Sequence, residues 1–150
     1  MKKLLFLVLS ALCVSNAFAQ DVSAFNILWG PLYVDVGYDD NMKPTSHSFT
    51  LIFQDANYEV LDKKFVYASG SAQDIFDSLR QIEEFASKYD QNGISKSYGK
   101  TTLTRYKIPL VNYVYVDLGN ESFTIEPFTI NQIKKRVIKY CKKYKLELPK

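Results

Sequence analysis

His47 and Cys141 are the side chains whose types best suit nucleophilic catalysis. An arrangement with an imidazole base must use His47, the single histidine, which stands between Ser46 and Ser48 at the start of a predicted strand. Cys141 falls on the apolar side of a predicted helix, where a buried thiol is inert. Neither residue belongs to a catalytic motif, so the sequence predicts structural roles for both and no catalytic residues.

Asp39, Asp40 and Asn41 place three oxygen-bearing side chains next to one another in a predicted loop. Calcium takes about six to eight oxygen ligands, and the loops that supply them space their acidic residues apart. Adjacent residues do not form such a cage, and no cluster of histidines and cysteines has the spacing of metal ligands. The sequence therefore predicts no metal and no cofactor.

Tyrosines and aspartates alternate with aliphatic residues on two predicted strands. Because successive side chains of a strand point to opposite faces, the aliphatic residues predict contact with the core and the polar residues the other face. Tyrosines interleaved with carboxylates suit contact with a protein surface or a carbohydrate. A sheet covered on both faces, with the tyrosines simply packed, is the alternative. The candidate binding residues are Tyr33, Asp35, Tyr113, Tyr115 and Asp117.

Basic residues concentrate in the last predicted helix. Residues 133–150 hold eight Lys or Arg against Glu147, a charge of +7, whereas residues 20–132 carry −6. A solvated helix surface is the favoured interpretation, and binding of nucleic acid or anionic lipid is the alternative. The modest overall charge argues against nucleic acid, and the apolar side of the helix is needed for the core, which argues against lipid. The candidate basic patch comprises Lys134, Lys135, Lys139, Lys142 and Lys143.

The spacing of apolar residues predicts the elements that position these side chains. Ser71 with Asp74 and Thr129 with Gln132 predict capping boxes at the starts of two amphipathic helices. The order β-β-β-α-β-β-β-α predicts an α+β fold, with an antiparallel sheet of about five to six strands and both helices on one face. Whether the two β-β-β-α halves are a duplication is left open. The predicted strands cover residues 32–36, 47–54, 58–68, 101–108, 112–118 and 121–126.

The first nineteen residues have the three parts of a bacterial-type signal peptide. Two lysines precede an apolar run over residues 4–14, and Ala17 and Ala19 supply the small residues that signal peptidase accepts. The apolar run is too short to cross a bilayer as a stable helix. The sequence predicts a signal peptide over 1–19, a single domain over 20–150, and export to the periplasm or the medium with no membrane span after cleavage.

These observations predict a small exported domain that binds a protein or another macromolecule without catalysis, as an inhibitor or an immunity-like protein does. The alternative is an extracytoplasmic enzyme that acts on cell-wall or carbohydrate substrates through carboxylates. Perturbed carboxylates in a cleft would favour the enzyme, and a flat or aromatic-studded sheet face without a pocket would favour the binding domain.

Overall fold

The computed structural model describes residues 22–57 and 63–150, without the side chains of residues 22–27 and 29. The predicted signal peptide, residues 1–19, lies outside the described residues, and so does the first part of the predicted strand over 58–68. Within the described ranges, neither helix has the length and the apolar run needed to cross a membrane.

The chain forms two runs of four strands, and a helix follows each run. Within each run, consecutive strands pair antiparallel and make a four-stranded sheet, in the orders β1-β2-β3-β4 and β5-β6-β7-β8. The first run comprises β1 (Val22–Trp29), β2 (Leu32–Tyr38), β3 (Pro44–Gln54) and β4 (Lys64–Gly70), followed by α1 (Ala72–Lys88). The second comprises β5 (Ser95–Tyr98), β6 (Thr101–Ile108), β7 (Val111–Asp117) and β8 (Ser122–Ile125), followed by α2 (Pro127–Tyr144). The predicted α+β class, the antiparallel pairing and the alternation of strand runs with helices are confirmed.

The strand inventory differs in detail from the expectation, because β1 and β5 add one strand to each run and the strands divide into two sheets. All four residues of β5 are exposed, so this strand has no apolar alternation to detect. In β1, apolar residues stand side by side at 27–29, which obscures a period of two. The strands divide into two sheets because each described strand pairs only with its neighbours in the same run, and the alternation within a strand does not tell which other strand it pairs with.

One hydrophobic core lies between the sheets and the helices. Leu32, Val34 and Val36 of β2 and Val114 and Val116 of β7 point into it, as their alternation predicts. α1 contacts β3, β4 and β6, α2 contacts β1 and β7, and the helices also contact each other. Both helices therefore cover the same side of the sheets, and we call the opposite side the outer face.

The capping box predicted for α1 is present. The Ser71 hydroxyl accepts the backbone N–H of Asp74 at 3.2 Å, and the Asp74 carboxylate accepts the backbone N–H of Ser71 at 2.7 Å. The hydrogen bonds donated by the Ser71 hydroxyl and backbone hold the pKa of Asp74 below its usual range. The preceding Gly70 has φ +142°, and a Cβ there would stand 2.4 Å from the Asp74 carboxylate. Glycine is therefore required directly before this helix.

The capping box predicted at Thr129 and Gln132 is wrong. α2 begins three residues earlier than this box predicts, at Pro127, with Glu126 as its N-cap residue and no side-chain hydrogen bond at the cap. Proline suits the first helical position because its φ is already helical and it has no N–H to satisfy. Thr129 is consequently the third residue of the helix.

A buried carboxylate joins the two sheets. Asp55, directly after β3, accepts the backbone N–H groups of Asn57 at 3.1 Å and Ser122 at 3.2 Å, and its other oxygen lies 3.4 Å from the Lys63 ammonium. Lys63 also lies 3.5 Å from Glu121, beside the start of β8. Burial raises the pKa of Asp55, but these hydrogen bonds and the lysine charge outweigh it and leave the pKa below its usual range.

Candidate functional site

The five predicted binding residues lie on the outer face. Their neighbours along each strand point into the core, and the five side chains are half-buried. They do not form one group, because β2 and β7 belong to different sheets. Tyr33 and Asp35 lie in the first sheet, and Tyr113, Tyr115 and Asp117 lie in the second.

The β7 group includes a tyrosine that the sequence prediction omitted. Tyr106 of β6 is the cross-strand partner of Tyr113, and the two rings stack with centroids 5.0 Å apart and planes inclined by 28°. The Tyr115 hydroxyl donates to the side-chain oxygen of Asn57 at 3.4 Å, which connects β7 to the turn after β3. Asp117 accepts the backbone N–H of Gly119 at 2.8 Å and so orders the β7–β8 turn. Tyr106 also alternates with core residues, but its place beside Tyr113 follows from the strand register.

Hydroxyl groups continue this surface towards β5. Ser95 pairs with Thr104 at 2.8 Å between side-chain oxygens, and Ser97 pairs with Thr102 at 3.1 Å. Thr104 is in turn the cross-strand partner of Tyr115. The outer face of the second sheet therefore combines aromatic rings with aligned hydroxyls.

In the first sheet, Asp35 stands opposite Ser48 of β3, and Tyr33 stands opposite Thr50. One carboxylate oxygen of Asp35 is buried and has no hydrogen-bond partner among the described side chains. This side of the candidate surface is less aromatic than the β7 group.

The predicted basic patch separates into three environments. Lys134 forms an ion pair with Glu83 of α1 and lies over the ring of Phe76, 5.2 Å from its centroid, so it connects the two helices. Lys135 and Lys142 are exposed to solvent. Lys139 and Lys143 line a cavity together with Arg136, which the candidate patch did not include.

This cavity, of about 350 Å³, lies between α2 and the first two strands. Leu28 of β1 and Val34, Val36 and Tyr38 of β2 line it on the side of the sheet. These side chains belong to the hydrophobic core or pack against it, so the sheet side of the cavity is largely apolar.

On the helix side, the cavity is lined by cations and aromatic rings from successive turns of α2. Arg136, Lys139, Tyr140, Lys143 and Tyr144 follow the spacing i, i+3, i+4, i+7 and i+8, which places them along one side of the helix. The rings of Tyr140 and Tyr144 have centroids 4.5 Å apart. Burial, and to a lesser degree the neighbouring Tyr144, raises the pKa of Tyr140 to about 12.

His47 supports this wall of the cavity. Its Nδ1 lies 2.9 Å from the Tyr140 hydroxyl, and its ring centroid lies 5.3 Å from that of Tyr144. Cys141, on the same helix, is fully buried, and burial raises the pKa of its thiol. Cys141 is thus packed within α2, and His47 is packed where β3 contacts that helix.

The acidic loop after β2 is held together by Asp39. Its carboxylate accepts the backbone N–H groups of Asn41 at 2.9 Å and Lys43 at 2.8 Å. In the part of the chain that the structure describes, no group of three or more His, Cys, Asp or Glu side chains is placed to hold a metal ion.

Where the pKa of a described carboxylate is perturbed, it is lowered rather than raised. The hydrogen bond and charge of Lys107 lower the pKa of Asp90, just as hydrogen bonds lower those of Asp55 and Asp74. A general acid in glycoside hydrolysis needs a carboxyl group with a raised pKa. These three carboxylates therefore lack the raised pKa that a general acid needs and give no support to the enzyme alternative.

Arg105 is a buried cation that the sequence analysis missed. It is 3% exposed on the inward side of β6, and its guanidinium donates to the carbonyl oxygen of Tyr113 at 3.3 Å. Its Nε has no hydrogen-bond partner in the described ranges. The alternation with Leu103 gives the signal for an inward side chain, although arginine is seldom buried.

No protein-family model matches the chain, and no curated protein or solved structure matches it. The outer face and the cavity beside α2 are therefore interpreted from their own chemistry.

Proposed function

We propose that the chain is an exported, non-enzymatic binding domain and that its outer face contacts a protein partner. The observation that carries this proposal is the stacked pair of Tyr106 and Tyr113 on the side of the sheet away from the helices. Tyr106 is 38% exposed, so its ring is accessible to a partner. The predicted signal peptide supports action outside the cytoplasm.

Tyrosine is well suited to such a contact. It offers a rigid apolar ring and a polar hydroxyl, and its few rotatable bonds make ordering on binding inexpensive. The hydroxyls of Thr102 and Thr104 beside the tyrosines supply hydrogen-bonding groups of the kind found at protein interfaces.

The charge of the surface indicates what the partner offers in return. Asp117 and Asp35 are the acidic groups on β7 and β2. We therefore expect the partner to present polar and basic residues, in the manner of an enzyme bound by an inhibitor or a toxin bound by an immunity protein.

The test compares two tyrosines of equal exposure on opposite sides of the second sheet. Tyr98 of β5 is also 38% exposed, but it lies on the helix side, in a hollow with Arg80 and Lys88. Tagged mature protein, Tyr106→Ala and Tyr98→Ala are used to capture partners from the native extracytoplasmic fraction, with thermal unfolding as the check on folding. We expect Tyr106→Ala to lose a captured protein at least tenfold and Tyr98→Ala to retain it. Equal capture by both variants, or selective capture of glycans, would contradict a protein-binding outer face.

A further inference from the structure

We propose that the cavity between α2 and strands β1 and β2 binds a free organic anion with an apolar body, such as a medium-chain carboxylate. This site is separate from the outer face, because its residues lie on the helix side of the first sheet. The proposal therefore stands or fails independently of the protein partner.

The shape of the cavity suits a small molecule. Its volume of about 350 Å³ falls within the range of about 300–1,000 Å³ that is usual for ligand pockets. Leu28, Val34 and Val36 form an aliphatic surface, and the rings of Tyr140 and Tyr144 form an aromatic one. An alkyl chain or aromatic ring placed between these surfaces would be shielded from water on both sides. This removal of apolar surface from water is the main favourable contribution to binding.

The charge of the cavity selects an anion. Arg136, Lys139 and Lys143 line it, and within residues 22–57 and 63–150 no carboxylate comes within 4.0 Å of any of the three cations. On the same helix, Lys134 does have such a partner, Glu83. The Lys143 ammonium lies over the Tyr144 ring, 4.9 Å from its centroid, so its charge stays beside the cavity. None of the three charges is thus neutralised by a described carboxylate. The forked guanidinium of Arg136 matches the two oxygens of a carboxylate.

The wall that carries the cations is held in place by packing. Tyr140 is fixed by His47 and by an edge-to-face contact with Phe49, whose centroid lies 5.4 Å away. A pocket whose walls are already ordered loses little conformational entropy when a ligand enters. The helix therefore presents the ring of Tyr140 to the cavity in a fixed position, with the exposed side chains of Arg136, Lys139 and Lys143 beside it.

The first measurement is calorimetric titration of the mature protein with decanoate, kept below its micelle concentration. Acetate tests the charge without the apolar body, and decyltrimethylammonium tests the body with the opposite charge. We expect saturable binding of decanoate and none of the other two. Failure of decanoate to bind, or equal binding of decyltrimethylammonium, would overturn the proposal.

Two double variants then separate the cavity from general attraction to a basic helix. Lys139→Gln/Lys143→Gln removes two charges that line the cavity, and Lys135→Gln/Lys142→Gln removes two exposed charges of the same helix that do not. Both lower the net charge equally. We expect the first pair to weaken decanoate binding at least tenfold and the second less than twofold. An equal loss in both would show non-specific attraction and overturn the site.

An anionic membrane lipid has the same headgroup and chain chemistry, so vesicles serve as a further arm. Sedimentation with vesicles containing phosphatidylglycerol should leave the wild-type protein in the supernatant if the ligand is a free acid. Co-sedimentation that is abolished by Lys139→Gln/Lys143→Gln would show a membrane-binding surface instead and would contradict the proposal. Capture of the protein partner by Lys139→Gln/Lys143→Gln should remain unchanged in either case.

Discussion

The two sides of β7 differ in what their side chains contribute to stability. Val116 is fully buried in the core, whereas Tyr113 is half-buried on the outer face and stacks on Tyr106. We expect Val116→Ala to lower the free energy of unfolding by about 1–3 kcal/mol, through lost burial and a residual cavity. Tyr113→Ala should cost about 1 kcal/mol or less, because the ring of Tyr113 is only half-buried and its stacking partner, Tyr106, is exposed to solvent.

Urea unfolding of the two variants measures these costs, and Tyr98→Ala is a matched control for the loss of a partly exposed ring. A loss of stability for Tyr113→Ala as large as that for Val116→Ala would show that the outer face is packed rather than available. The basic helix α2 would then replace the tyrosines as the candidate contact surface.

Among the individual elements, α1 begins with a capping box of side-chain hydrogen bonds, whereas α2 has no side-chain hydrogen bond at its N-cap. Ser71→Ala removes the acceptor for the Asp74 N–H and the hydroxyl donor to the Asp74 carboxylate. We expect a loss of about 1 kcal/mol, the usual cost of deleting an N-cap hydroxyl. Ser87→Ala, an exposed substitution near the end of the same helix, should change stability by less than about 0.5 kcal/mol.

Thermal or urea unfolding of both serine variants is sufficient for this comparison. Equal stabilities of Ser71→Ala and Ser87→Ala would mean that the box does not hold the start of α1. For α2, whose first turn begins with Pro127 and has no side-chain cap, Thr129→Ala should have little effect on the helix start.

For the molecule as a whole, Asp55 couples the two sheets in a pH-dependent way. Its pKa is lower in the folded chain than in the unfolded chain, so its ionised form stabilises the fold above the unfolded pKa of about 3.9. This contribution is lost as the pH falls through the lower, folded pKa. Asp55→Asn should therefore lower Tm at about pH 7, and the difference from the wild-type protein should shrink towards about pH 3.

Asp40→Asn, in the exposed loop after β2, controls for removal of one negative charge and should show no such trend. The measurement is Tm against pH for the three proteins. A gap between the wild-type protein and Asp55→Asn that widens on acidification would contradict the assigned direction of the shift.

Several elements were predictable because their signals are local. The alternation around Val34 and Val116 predicted both strands and the side that each presents to the core, and Ser71 with Asp74 predicted the start of α1. The start of α2 was predicted three residues late, because Thr129 and Gln132 match a capping box that the proline at the first helical position makes unnecessary. The polar strand β5 carried no periodic signal at all.

The amino-acid pattern was sufficient for the α+β class, the amphipathic helices and the placement of five polar residues on one side of their strands, because each depends on the geometry of neighbouring residues. The tertiary structure decided the rest. The stacking of Tyr106 on Tyr113 follows from the register of two consecutive strands, and the two-sheet division from the fact that the described strands of one run do not pair with those of the other. The cavity beside α2 forms where Arg136, Lys139 and Lys143 meet the aliphatic side chains of β1 and β2. Such contacts are set by the global fit of the core, and no local pattern encodes them.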